Sequence, residues 1–180
     1  GGERSGRVGG PGKVAAGRGP AVQVGAVVPN GVGFPGSPPG RTRERYLIGV
    51  ARIAHDKGQH LAIDVARRSG RKLILAGKVE RSGEGERYFE EEIEPHLGRS
   101  VVHYPNVQGA QKSRIVSRAA VVSFPLQWPD PFGLAMVECM VVGTPVLALR
   151  TRWAPERIAD RDTGHLSEHG EALAPPAGSL

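Results

Sequence analysis

Residues 127–146, QWPDPFGLAMVECMVVGTPV, bring two carboxylates and a set of backbone amides into one short segment. Pro131 suits the first turn of a helix, and Asp130 just before it can cap that helix with its side-chain oxygen. Phe132, Gly133 and Leu134 then present N–H groups that have no partner within the helix, at its positive end. Such an end receives hydroxyl oxygens or anions. Glu138 lies on the same expected helix; at helical rise and twist it stands about 12 Å along the axis from Asp130 and roughly 80° around it. That span suits a ligand with two separated sets of hydroxyls, as the sugar and the ribose of a sugar nucleotide would be. Asp130 keeps a second reading as a plain helix cap. Glu138 is harder to explain by structure alone, because an unpaired carboxylate is costly to bury on an apolar helix face.

Other reactive residue types give weaker signals. The six histidines are scattered, with no pair or carboxylate cluster at metal-ligand spacing, so no metal site is expected. The single cysteine, Cys139, falls in mid-helix and reads as core rather than nucleophile. It allows no intramolecular disulfide, which fits a reducing cytoplasm. Gly31, Gly33 and Gly36 lack the strand and helix that a dinucleotide fingerprint requires. Arg52 and Lys57 flank a loop after an apolar run, and could be a pair of anion-binding groups or ordinary surface charges.

These residues need a frame, and the apolar pattern supplies one from Tyr46 onward. Apolar runs at 46–51, 73–76, 101–104, 120–124 and 145–149 read as strands. Between them, helices are expected over 57–68, 86–97, 110–118 and 132–142, with a short one over 155–159. The 86–97 segment is the clearest, with Phe89, Ile93 and Leu97 on one face. Strands alternating with helices imply a parallel sheet covered on both sides, because every parallel crossover needs a helix. The fold class is therefore α/β, a doubly wound, Rossmann-like sheet whose ligand lies beyond the C-terminal strand ends. The loops after residues 51, 76, 104, 124 and 149 are the ones to watch.

The flanks differ in composition. Half of the 26 glycines in this 180-residue chain fall within the first 40 residues. Residues 1–44 read as a Gly-, Arg- and Pro-rich arm and linker remnant, with a possible strand over 22–28. The globular domain is expected over 45–170 and a tail over 171–180. The formal charge of +6 comes partly from Arg4, Arg7, Lys13 and Arg18 in the arm. No aromatic residue is interleaved with them, so nucleic-acid binding is not the expected function. No run of about 18 apolar residues occurs, so no membrane-spanning helix is expected.

Together these motifs resemble a known family. An acidic residue before PFG, a glutamate further along the helix and a following GTPV look like the signature of the group 1 (family 4) retaining glycosyltransferases. Residues 46–58 (YLIGVARIAHDKG) are similar to the first strand and basic loop of that family's second domain. Ala76-Gly77-Lys78 is similar to the end of its second strand, and residues 28–32 (VPNGV) to its interdomain segment. The resemblance spans about residues 27–164 and implies the C-terminal, donor-binding half of a GT-B fold. By that resemblance, Glu138 would accept hydrogen bonds from ribose hydroxyls, and Asp130 with the amides of Phe132, Gly133 and Leu134 would hold the transferred sugar. Arg52 and Lys57 would neutralise the diphosphate and act as electrostatic catalysts. Lys78, Asn106 and Val107 would lie near the base.

The implied donor is a nucleoside diphosphate sugar, UDP- or GDP-linked, UDP-glucose being one candidate, and no further cofactor is implied. The implied partner is an N-terminal acceptor domain, which this chain does not contain, so the isolated chain is expected to bind donor weakly and transfer nothing. A non-catalytic nucleotide-sugar-binding module or a truncated remnant is the alternative, and a GT-B epimerase fits the signature less well. Three positions depart from the family pattern: Asp130 stands where Glu is usual, Cys139 where Ala is usual, and Trp153 enters a segment usually built of small residues. Glu156 after Pro155 matches the family's Pro-Glu pair and is equally a first-turn helix acid.

Overall fold

A computed structural model describes residues 43–126, 134–151, 154–156 and 158–168. Six strands run in chain order: β1 Tyr46–Val50, β2 Lys72–Ala76, β3 Val101–Tyr104, β4 Val121–Phe124, β5 Val146–Leu149 and β6 Gly164–Ser167. They form one parallel sheet of order β3-β2-β1-β4-β5-β6. The helices are α1 Gln59–Ser69, α2 Gly83–Tyr88, α3 Gly109–Ser117 and α4 Leu134–Val141. This is the doubly wound order in which the chain leaves β1 toward one edge and leaves β4 toward the other.

Strand composition follows from burial on both faces. Tyr46, Ile48 and Val50 of β1 join Val116 of α3 and Met136, Cys139 and Val142 of the α4 segment in one apolar cluster. Leu47 points the other way, into a cluster with Ala62, Ile63, Val65 and Ala66 of α1 and with Tyr88 and Ile93. Alternate residues thus enter opposite cores, which is why the strands read as continuous apolar runs rather than as alternating ones. The Tyr46 hydroxyl donates to the Ile115 carbonyl at 2.6 Å, and burial pushes its pKa up to about 12. Thr144 Oγ1 donates to the Val116 carbonyl at 2.8 Å, tying the turn after α4 to α3.

The five apolar runs become β1 to β5 within a residue or so of their expected bounds. Three expectations need correction. The segment 86–97 is not one amphipathic α-helix: α2 ends at Tyr88, a wider π turn covers Phe89–Ile93, and a 3-10 turn covers Glu94–His96. Pro95 explains the break, because it has no N–H to give and its ring collides with the carbonyl four residues back in regular α geometry. α2 also begins earlier than expected, at Gly83, because Ser82 caps it by accepting from the Gly85 N–H at 3.0 Å. The third correction is β6, which the sequence reading missed. Its four residues, GHLS, form no apolar run, yet they pair along the whole of β5.

The short helix near 155–159 is a 3-10 turn over Ala154–Glu156. The possible strand over 22–28 lies outside the described residues, as do Trp153 and the start of the helix expected from residue 132. Among the described residues, no helix is long and apolar enough to cross a membrane.

Candidate functional site

The chain diverges between β1 and β4, so the crevice of a doubly wound sheet opens at their C-terminal ends. The loop from β1 to α1 lies there and carries both Arg52 and Lys57. It is held first by β2: Ala51 N–H donates to the Ala76 carbonyl at 3.2 Å and Ile53 N–H to the Lys78 carbonyl at 2.8 Å. Gly77 sits between these bonds, and a Cβ there would stand 1.9 Å from the Ala51 carbonyl oxygen. No side chain fits, so the two strand ends approach as closely as they do only through glycine. The loop is then pressed against the chain leaving β4. Gly58 adopts the left-handed region at φ 67°, and a Cβ there would lie 2.3 Å from the Pro125 carbonyl oxygen.

Gln59, buried at the start of α1, braces the loop from below. Its Nε2 donates to the Arg52 carbonyl at 2.8 Å, and its Oε1 accepts from Ala54 N–H at 3.4 Å and from the Tyr88 hydroxyl at 3.5 Å. The Tyr88 oxygen accepts from His60 N–H at 3.0 Å and stands 2.9 Å from His60 Nδ1. His55 stacks on His60 with ring centroids 5.3 Å apart. Burial raises the Tyr88 pKa to about 12, so its hydroxyl keeps its proton.

Burial, and then the charge of His55, lowers the pKa of His60; Glu92 and Asp64 oppose the shift without reversing it. The native fold therefore favours the neutral ring. Above the ordinary histidine value of 6.5 both native and unfolded chains hold it neutral. As pH falls through that value the unfolded chain takes up a proton that the native ring resists, and stability is lost. The melting temperature should fall between about pH 7.5 and about pH 5.5, and His60→Asn should flatten that fall. Equal slopes in the two proteins would show that His60 does not govern it. Asp160 does not enter this window: the Leu166 N–H holds its carboxyl below the usual carboxylate value, so it acts at lower pH.

The two loop cations differ in setting. Arg52 is half exposed and pairs through Nη1 with Glu80 Oε1 at 2.8 Å. Lys57 is mostly covered, lies 3.4 Å from Asp56 Oδ2, and lines a crevice with Gly49, Gln59, Ser123 and Pro125 between the ends of β1 and β4. Further along the edge, Gly77 N–H donates to the Tyr104 carbonyl at 3.1 Å, and His103 Nε2 donates to the Gly77 carbonyl at 2.8 Å. The ends of β2 and β3 are thereby locked together, which sets exposed Lys78 and exposed Asn106 on adjoining loops. Val107 is half-buried and packs against the cluster under α3 and α4.

On the other side of the switch point, Glu138 is not the unpaired carboxylate that its apolar helix suggests. Lys112 of α3 places its Nζ 2.5 Å from Glu138 Oε2, and both side chains are about three-quarters covered. Cys139 beside it is buried, and burial pushes its thiol up to about 12, so it stays protonated and reads as core. Asp130, Phe132 and Gly133 lie outside the described residues, and Leu134 is described as the first residue of α4. Lys112, Gln59, Tyr88 and His103 all contribute here without having been singled out in the sequence. One signal could have found Lys112: a half-buried glutamate needs a cation, and the first turn of the preceding helix offers a lysine.

The family model of the group 1 glycosyl transferases matches residues 36–175. The chain belongs to this family. Its similarity to the D-inositol 3-phosphate glycosyltransferase of Mycobacteroides abscessus is 28% identity over 129 residues, 70% of this chain and 29% of that protein. The structure of Anabaena HepE in complex with UDP and glucose superposes with a TM-score of 0.61 at 25% identity, covering 72% of this chain and 36% of HepE. Sucrose-phosphate synthase from Thermosynechococcus elongatus superposes at 0.62 and 27%, over 72% of this chain and 34% of its own. The chain thus spans about a third of the length of these relatives. Within the group 1 glycosyltransferases it corresponds to the C-terminal Rossmann-like domain of the GT-B fold.

Proposed function

We propose that this chain is the donor-binding half of a retaining glycosyltransferase and that its C-terminal strand edge holds a nucleoside diphosphate sugar, UDP- or GDP-linked. The observation that carries this reading is Glu138, a mostly covered carboxylate held at a fixed place on α4 beside the topological switch point. Ribose offers two adjacent hydroxyl donors, and a carboxylate is an acceptor-only group with about four lone-pair sites. Arg52 and Lys57 supply positive charge to the diphosphate, and Asp130 with the amides of Phe132, Gly133 and Leu134 holds hydroxyls of the sugar. Lys78, Asn106 and Val107 lie toward the base.

In the reaction so read, the bond between the anomeric carbon and the diphosphate oxygen breaks, and an acceptor hydroxyl oxygen bonds to that carbon on the same face. The acceptor proton leaves with the diphosphate. Positive charge from Arg52 and Lys57 gains strength as the leaving oxygen becomes negative, which lowers the barrier rather than merely tightening binding. The acceptor arrives, in this proposal, on an N-terminal Rossmann-like domain facing the same edge, in keeping with the length of the relatives.

Calorimetric titration with UDP, GDP and ADP tests the reading. One of the three should bind saturably, and Glu138→Gln should weaken that binding about tenfold or more, as loss of a charge-assisted hydrogen bond implies. Equal affinity in wild type and Glu138→Gln would remove Glu138 from the donor site.

A further inference from the structure

Glu138 owes its position to a residue on another helix. Lys112 is the fourth residue of α3 and Glu138 the fifth of α4, so each lies in the first part of a helix that starts at the C-terminal edge of the sheet. The helices pack on the same face, with Val116, Met136 and Cys139 in the apolar cluster around the pair. A glutamate projecting from a helix keeps three rotatable bonds. Here the end of the side chain is fixed by an ammonium 2.5 Å from Oε2. Lysine is a point donor, and one such contact leaves most of the acceptor capacity of the carboxylate open to other donors.

The geometry points to Lys112 as a positioning residue: its ammonium holds the Glu138 carboxylate in the orientation that accepts from the ribose hydroxyls, and so sets the preference of this chain for ribonucleotides over 2′-deoxyribonucleotides. This rests on the donor-site reading of Glu138. Lys112 itself touches no part of the nucleotide in this account. Loss of its charge leaves the carboxylate free to rotate and to fill with water, so both hydroxyl contacts suffer together while the diphosphate contacts of Arg52 and Lys57 persist. A lysine that merely tied α3 to α4 would change the melting temperature and leave the sugar preference intact, as an ion pair with no further task does.

The test measures affinity for UDP, GDP and ADP against their 2′-deoxy counterparts, with thermal melting of each protein as a check on folding. Wild type should prefer the ribonucleotide by about tenfold. Lys112→Met should bring the two affinities to within about twofold, the deoxynucleotide losing less because only its 3′-hydroxyl contact is at stake. Lys112→Arg, which restores a cation, should recover most of the preference. Should Lys112→Met fail to melt cooperatively, Lys112→Gln, an amide that keeps a donor but no charge, reads the same ratio. Retention of the preference in the neutral variants, with its loss in Glu138→Gln, would overturn the role of Lys112 and leave the role of Glu138 standing. Absence of any ribose preference in wild type, or its survival in Glu138→Gln, would overturn the donor-site reading on which the inference stands.

Discussion

Gly77→Ala is expected to cost about 4 kcal/mol or more of folding free energy, a loss of the size reserved for a broken structural requirement. The added Cβ would stand 1.9 Å from the Ala51 carbonyl oxygen and 2.6 Å from its carbon. Both are backbone atoms of the chain leaving β1, so no rotamer change relieves the contact. Relief requires β1 and β2 to separate, which breaks the bonds from Ala51 N–H and Ile53 N–H and frees the loop that carries Arg52 and Lys57. Gly83→Ala provides the contrast. A Cβ at Gly83 meets nothing within 4 Å, so that change should be neutral or stabilise α2 by up to about 1 kcal/mol. Urea unfolding of the two variants against wild type measures the difference. Similar midpoints for Gly77→Ala and wild type would show that the strand ends are not locked as described.

The second large effect concerns charge. Replacing Arg52 and Lys57 together by alanine should weaken binding of a nucleoside diphosphate by about a hundredfold or more, since each charge-assisted contact contributes roughly 1.5–3 kcal/mol. Lys57 should account for the greater part, because its side chain is 17% exposed while that of Arg52 is 53% exposed and screened by solvent. The same double variant should bind the corresponding nucleoside about as well as wild type does. Titration of diphosphate and nucleoside into both proteins reads the contrast. Equal losses for the two ligands would mean that the cations support the loop rather than the phosphates.

Much of the frame was legible because burial on both faces forces each central strand into a short apolar run, and β1, β2, β4 and β5 meet that condition, while β3 at one edge still opens on the apolar pair Val101 and Val102. β6 lies at the edge, where GHLS can pair with β5 without an apolar sequence of its own. The helix expected over 86–97 shows the limit of periodicity: Phe89, Ile93 and Leu97 share a face in the pattern, but Pro95 forces the turn to widen before it. At the site, Glu138 stood out because a carboxylate on an apolar helix demands an explanation. Its cation did not, since Lys112 is separated from it by 26 positions and meets it only when α3 and α4 pack side by side. Gln59 shows the same thing more sharply. It reads as one more polar residue at the head of a helix, yet it is buried and fastens the carbonyl of Arg52. Contacts between elements carry the fine positioning of this site, and single-chain patterns carry the elements.

Amide NMR of the full chain, titrated with the nucleoside diphosphate that binds it best, tests most directly whether the C-terminal strand edge is the donor site. Saturable shifts should concentrate in residues 51–58, 77–79 and 105–108 and around Glu138, with Thr163 and Gly164 at the opposite end of the sheet undisturbed. Saturable shifts centred on that opposite end, with the loop of Arg52 and Lys57 unmoved, would contradict it.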